Sequence, residues 1–249
     1  MKKTKIMKSE GFTRRDALKL YGVALGVLAM ENPKNAFGAD KEFKKTYPNQ
    51  EELKMTFPNE PESRVPTLST DNLSPECVKI LERLPGKGLH GEGFPYNLLG
   101  ILMHNEETLE PFLDYWVTSK AKMGLSIREQ ELVILRMAIL YRSEYVWKHH
   151  VKVGREFGVN DPELDAIRHG SYSAFTAARE RALLELTDAF MNERYLPPEL
   201  WNRTKSVLGS RDFVDLISLV SQYVLFALTN VCMQVQVEPG VANLPGIEG

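Results

Sequence analysis

Between positions 131 and 150 the chain gathers the groups with which an enzyme moves protons: a carboxylate at Glu131, then Glu144, Tyr145, Trp147, His149 and His150 within one short run. Two of the chain's five histidines are here. An imidazole titrates near neutral pH, and a phenol and a carboxylate beside it supply a hydrogen-bond donor and an orienting charge, as general acid/base catalysis requires. Satisfied core or interface residues show the same spacing, so the pattern supports catalysis without demanding it. His149 and His150 are adjacent and point their rings roughly 100 degrees apart around a helix. They cannot both grip one ion, and the i, i+4 histidine pair of helical zinc sites is absent, so no metal is expected.

These residues need helices to hold them. Ser126 followed by Glu129 is a capping box, which predicts a helix from Arg128 to about Tyr141. Leu132, Val133, Ile134, Leu135, Met137, Ala138, Ile139 and Leu140 make that helix apolar nearly all round, the mark of a helix at the centre of a bundle. Glu131 is then either just outside the core or buried and paired, with Arg136 available to pair elsewhere. Ser143 caps a second helix over Glu144–Phe157, and Gly158 supplies a left-handed stop. On it Tyr145 and His149 lie one turn apart, as do Val146 and His150, and Trp147 is three residues before His150.

The flanking chain reads as further helices. One starts at Asn72 or Ser74 with Pro75 and runs to Pro85-Gly86. Gly86 to Gly93 is glycine-rich, but no strand precedes it, so it reads as a flexible loop near a pocket mouth and not as a phosphate cradle. Leu98, Leu99, Leu102, Leu109, Phe112, Leu113 and Trp116 recur at helical spacing, with His104 in a break between two helices, where it could face a site. Helices are also expected from Asp161 to His169-Gly170, from Ser173 to Asn192, from Pro198 and from Arg211 to Met233. The last is long and apolar, but Asp212, Asp215, Gln222 and Asn230 interrupt it, so it is read as a core or interface helix and no permanent membrane span is expected.

The 249 residues are 43% hydrophobic and 26% charged, the composition of a soluble globular protein. Charge is unevenly spread. Residues 1–39 hold eight of the 31 Lys/Arg and three of the 33 Asp/Glu, which leaves 23 basic and 30 acidic residues for the rest. So acidic a body has no surplus of cations for phosphates, which argues against nucleic acid as a partner. Thr13-Arg14-Arg15-Asp16-Ala17-Leu18-Lys19, the apolar run to Met30 and the small residues Ala36 and Gly38 resemble a twin-arginine export signal, with Ala17 where phenylalanine is usual. The apolar run is about half the length a bilayer-crossing helix needs. The expected organisation is a signal over 1–39, a proline-rich extended linker over 40–70 pinned by Phe43, Tyr47 and Phe57, and a helical domain over 71–249. A periplasmic or secreted location follows.

The segment Leu125 to Asp161, with its Glu-Tyr-x-Trp-x-His-His string, resembles the carboxymuconolactone decarboxylase family, which includes the alkyl hydroperoxidase D-like proteins; the likeness runs from about Leu73 to Gly240. The resemblance implies an all-α, multi-helix bundle that assembles into a homotrimer or homohexamer. The peroxidase branch uses a carboxylate, a Cys-x-x-Cys pair and a histidine four residues later. With His150 in the histidine position, the carboxylate falls on Glu131 and the two cysteines on Ser143 and Val146. A thiol peroxidase needs a nucleophilic and a resolving thiol, while the chain's two cysteines, Cys77 and Cys232, stand outside any redox motif. The decarboxylase branch needs no metal or organic cofactor. By resemblance, His150 or His149 is the proton donor, Tyr145 an oxyanion donor and Glu131 the group that orients the imidazole. Trp147 walls a pocket for a small organic acid or lactone, with Glu144 and His104 as further substrate contacts. A protein that kept the fold and lost turnover, serving as a scaffold, is the alternative from another class.

Overall fold

A computed structural model describes residues 62–69, 71, 73–81 and 96–238, all within the unit spanning Pro48–Gly249. The expected export signal, the glycine-rich loop and the linker aromatics Phe43, Tyr47 and Phe57 lie outside them. The described elements are helical: α1 (Pro75–Leu81), α2 (Tyr96–Leu102), α3 (Glu106–Lys122), α4 (Ile127–Leu140), α5 (Glu144–Glu156), α6 (Asp161–His169), α7 (Ala178–Asn192), α8 (Pro198–Thr204) and α9 (Ser210–Met233), with short 3-10 turns at Met103–Asn105 and Tyr172–Ala174. The fold class is all-α, as the sequence predicts.

Capping signals set the helix starts. Ser126 Oγ accepts from the Glu129 amide while Glu129 returns a bond to the Ser126 amide, and Ser143 accepts from the Val146 amide. Asn160 and Glu163 form a second reciprocal box at the start of α6. Two stops use residues with positive φ, Gly158 at 86° and Gly170 at 64°. The helix expected from Ser173 begins only at Ala178. Phe175 is instead turned into the core, and the Arg181 guanidinium holds the Phe175 and Thr176 carbonyls in an extended approach.

Helix α4 is the centre. Every residue from Glu129 to Ile139 is buried, and α5, α6, α7 and α9 pack around it. A helix closed on all sides must pair its charges internally, and each polar residue of α4 does so with a different neighbour. Glu129 meets Arg179 of α7 at 2.6 Å, and Arg179 passes on to Asp212 of α9 at 2.8 Å. Arg128 bridges Glu163 of α6 and Glu180 of α7. Arg136 is 2.6 Å from Asp188 of α7, donates to the Ile167 carbonyl of α6, and lies over the Tyr172 ring, whose hydroxyl donates to the same Asp188.

Helix α9 has the length and hydropathy of a membrane span. Its inner face packs Phe213, Leu216, Leu219, Val220, Tyr223, Phe226 and Ala227 into the core, which makes it a helix of the bundle. Its outer face carries Val214, Ile217, Leu225 and Leu228, all exposed and on one side of the helix. Residues 62–69 lie across the body: the Arg64 amide donates to the Met233 carbonyl and the Leu68 amide to the Gly100 carbonyl.

The Arg136 clamp reaches α6 through Gly170, where an added Cβ would sit 2.8 Å from an Arg136 nitrogen. Gly170→Ala also forces a side chain into the left-handed region, at about 1–2 kcal/mol. The variant is expected to lose about that much unfolding free energy or more in urea denaturation, with an unchanged m-value. Wild-type stability would mean that the clamp yields freely.

Candidate active site

Four helices deliver the groups at the centre. Glu131, on the first turns of α4, is 1% exposed. One carboxylate oxygen receives His150 of α5, with Nδ1 at 2.6 Å, and the other faces Lys120 Nζ at the end of α3, at 3.5 Å. From α9, the Tyr223 hydroxyl lies 3.3 Å from His150 Nε2, and the two rings meet edge to face at 5.3 Å. Lys120 Nζ sits 5.8 Å above the Tyr223 ring. Trp116, one turn before Lys120, packs against Phe226 at 5.1 Å, and Phe226 packs against Tyr223 at 5.5 Å.

The hydrogen-bond partners settle where the protons are. Glu131 can only accept, so His150 carries its proton on Nδ1 and turns the Nε2 lone pair toward Tyr223, whose hydroxyl donates. Burial by itself pushes the Glu131 carboxyl up, but His150 and Lys120 together hold it below the ordinary carboxylate value. Burial also holds His150 below the ordinary imidazole value, outweighing Glu131, with Lys120 and His149 adding repulsion. Tyr223 is held well above its usual value, first by burial and then by Glu131, so it remains a phenol. At rest the cluster is an ionised carboxylate, an ammonium, a neutral imidazole with a free base nitrogen, and a protonated phenol. It is a carboxylate-oriented base.

Tyr145 and His149 belong to a second cluster. The Tyr145 hydroxyl donates to Glu238 Oε1 at 2.6 Å and accepts from the Leu98 amide; the Asn97 amide donates to the same Glu238 oxygen. His149 Nδ1 donates to the Tyr145 carbonyl, its ring stacks on Tyr145 at 4.3 Å, and its Nε2 lies 2.8 Å from Glu238 Oε2. Although that distance is short, neither of these two atoms is aligned for a hydrogen bond. Glu238 is pushed up by burial but pulled below its ordinary value by His149, Tyr145 and the Asn97 amide. The cluster fastens the chain after α9 and the start of α2 onto α5.

The remaining sequence candidates are spread out. Trp147 is buried, with the Arg168 guanidinium 6.0 Å from its ring. Glu144 pairs with Lys148 at 2.5 Å, and His104 contacts the Pro66 carbonyl at 2.8 Å on the surface. Among the described residues no group of three or more His, Cys, Asp or Glu side chains could hold a metal ion. Lys120, Tyr223 and Glu238 were not singled out by the sequence. Only Tyr223 left a trace there, as a phenol in an otherwise apolar inner stripe, where a buried hydroxyl needs a partner.

This arrangement can be set beside known proteins. Residues 106–189 match the Carboxymuconolactone decarboxylase family. That stretch of the decarboxylase family covers α3 to most of α7, and with them Lys120, Glu131 and His150, while Tyr223 lies beyond it. The fold is similar to a protein of unknown function from Agrobacterium tumefaciens described as an AhpD of antioxidant defence, at 18% identity and a TM-score of 0.50, covering 55% of this chain and 94% of that one. It is also similar to the debrominase Bmp8 at 14% identity and a TM-score of 0.58, covering 70% and 92%. A cysteine-to-alanine variant of that debrominase with 2,3,4-tribromopyrrole gives 15% identity and a TM-score of 0.56, covering 74% and 95%. Identities this low establish a shared AhpD-like fold alone. No curated protein sequence matches the chain.

The protonation pattern has a consequence for stability. The unfolded chain takes up a proton at the ordinary imidazole value of 6.5, whereas folded His150 resists it until lower pH. Folding is therefore favoured above that value, and stability is lost as pH falls below it. His150→Gln keeps a polar side chain at this position and removes the titration. Urea denaturation from neutral toward acidic pH is expected to show a shallower fall for the variant than for wild type; equal slopes would separate His150 from the acid sensitivity.

Proposed function

We propose that the chain is a cofactor-independent general acid/base enzyme, a decarboxylase or related lyase acting on a small organic acid or lactone. The observation that carries this reading is the buried Glu131–His150 pair, with Nδ1 held at 2.6 Å and Nε2 facing the only nearby hydroxyl described, that of Tyr223. A substrate carboxylate departs as carbon dioxide, and the electron pair of the broken carbon–carbon bond passes into a neighbouring carbonyl. His150, which takes up a solvent proton at Nε2 before this step, then delivers it to carbon and returns to the neutral imidazole, and Glu131 holds the ring with Nε2 as the working atom. Tyr223 and Lys120 stand where an oxyanion could be received. His149 and Tyr145 are tied to Glu238, so the roles the resemblance assigns to them pass to His150 and Tyr223. The binding of a small bromopyrrole by a fold relative supports a small-molecule site in this bundle.

Thiol-based peroxide reduction is the second reading, favoured by the antioxidant-defence description of one fold relative. In this chain the positions of the thiol pair hold Ser143, whose hydroxyl caps α5, and Val146, while Cys77 is buried on α1 and Cys232 exposed near the end of α9. Carbon dioxide release from a panel of β-keto and lactone acids, run beside a peroxide-consumption assay, separates the two. His150→Gln is expected to lower lyase turnover by about 100-fold or more with the protein still folded. Peroxide reduction that is lost in the Cys77→Ser, Cys232→Ser double variant would replace the lyase reading.

We also infer a periplasmic or secreted homotrimer or homohexamer, exported by the twin-arginine-like residues 1–39 and assembled through the exposed apolar face of α9. Ile217→Asp with Leu228→Asp is expected to turn the oligomer into monomers in size-exclusion chromatography with light scattering. An unchanged mass would move the interface elsewhere.

A further inference from the structure

The Glu131 cluster contains more hydrogen-bond donors than its own carboxylate uses. Among the described residues Lys120 Nζ has one hydrogen-bond partner, Glu131 at the long distance of 3.5 Å, and lies over the face of Tyr223. The Trp116 indole nitrogen is buried in a residue 7% exposed and has no acceptor among the described residues. It lies toward the Tyr223 hydroxyl, close enough to favour its ionised form, without making a hydrogen bond of normal geometry. A buried indole N–H without an acceptor costs about 1–3 kcal/mol, and such a group in a native site calls for a ligand-side explanation. The side chains of Lys120 and His150 are 13% and 20% exposed, so the cluster meets solvent where these two groups stand.

We propose that Lys120, the Trp116 indole N–H and the Tyr223 hydroxyl form the subsite for a substrate carboxylate, and that the carboxylate enters together with a proton taken up by His150. Charge balance in the cluster requires the proton. The groups facing His150 are Glu131 from α4, Lys120 from α3, His149 from its own helix and Tyr223 from α9. At rest Glu131 and Lys120 cancel. An arriving carboxylate adds a second negative charge within a few ångströms of the first, in a setting where like charges repel strongly. One ammonium cannot balance two carboxylates. The nearest group able to supply the second positive charge is His150, whose Nε2 lone pair is open to a proton. Binding the anion therefore converts His150 from base to imidazolium. Once carbon dioxide leaves, that proton is the one available to the new carbanion, which restores the neutral imidazole and the resting charge. The substrate thus loads its own acid. The idea rests on the acid/base reading of this site, but its test is a binding measurement.

The probes are benzoate and its neutral isostere benzamide, titrated calorimetrically into the full-length protein at pH 7.5 in buffers of different ionisation enthalpy. Benzoate is expected to bind at least about tenfold tighter than benzamide, and to take up close to one proton per site, while benzamide takes up none. His150→Gln is expected to abolish the proton uptake. Trp116→Phe, which keeps the ring packing, is expected to weaken benzoate several-fold and leave benzamide unchanged; Lys120→Met should do the same more strongly, with thermal denaturation used to check that it folds. Equal affinity for the two probes, benzoate binding without proton uptake, or no effect of Trp116→Phe would each overturn the proposal. Benzoate binding with proton uptake in a protein that decarboxylates nothing would uphold the subsite and remove the lyase reading.

Discussion

The structure turns on one buried charge. Glu131 lies on a helix closed on all sides, and an ionised carboxylate there costs several kcal/mol unless it is paired and hydrogen-bonded. It is not satisfied locally: its helix neighbours Ile127, Ile134 and Leu135 are apolar, and Arg128, one turn before it, is turned to Glu163, Glu180 and the Gly158 carbonyl. Its partners have to be brought from other helices: Lys120 from the end of α3 and His150 from the second half of α5. The short break at Tyr141–Ser143, where Arg142 adopts a positive φ of 53° and Ser143 restarts the helix, is what turns α5 back along α4 so that residues nineteen apart meet.

The other polar groups of α4 follow the same rule in a different direction. Glu129, Arg128 and Arg136 pair with α6, α7 and, through Arg179, α9. Those pairs are tied to several partners at once: Arg136 donates to a carboxylate and a carbonyl, and Arg128 to two carboxylates and the Gly158 carbonyl. The Glu131 cluster differs in that Lys120 has one long contact and the Trp116 indole N–H no hydrogen bond among the described residues. Two kinds of polar network therefore share one helix, one tied to several neighbours, the other less fully paired.

How much of this was legible in the sequence depended on distance along the chain. The caps at Ser126 and Ser143, the stops at Gly158 and Gly170 and the central position of α4 rest on neighbours within four residues, and the pattern of types shows them directly; the Asn160 cap, equally local, was missed in favour of a start at Asp161. Glu131 and His150 stood out because both are unusual on buried helices nineteen residues apart. Tyr223 is 73 residues from His150 and Glu238 is 93 from Tyr145, and no local pattern links such pairs. The late start of α7 has the same cause. The helical spacing of Ser173 to Ala177 is good, but burial of Phe175 and the reach of Arg181 back to its carbonyl decide the backbone there, and both are tertiary effects.

The two histidines show how a single residue step around a helix sends neighbouring side chains into different clusters. They are adjacent in sequence and similar in type, so composition treats them alike. His149 places Nδ1 on the Tyr145 carbonyl and brings Nε2 to 2.8 Å from Glu238, so both of its nitrogens face groups of the second cluster. It helps to pin the chain after α9 onto α5. His150 spends Nδ1 on a carboxylate that Lys120 already balances, and burial keeps the ring neutral, with its second nitrogen unprotonated and near the surface. Burial makes the difference: it outweighs the pull of Glu131 on the His150 proton, and the nearby Lys120 acts in the same direction.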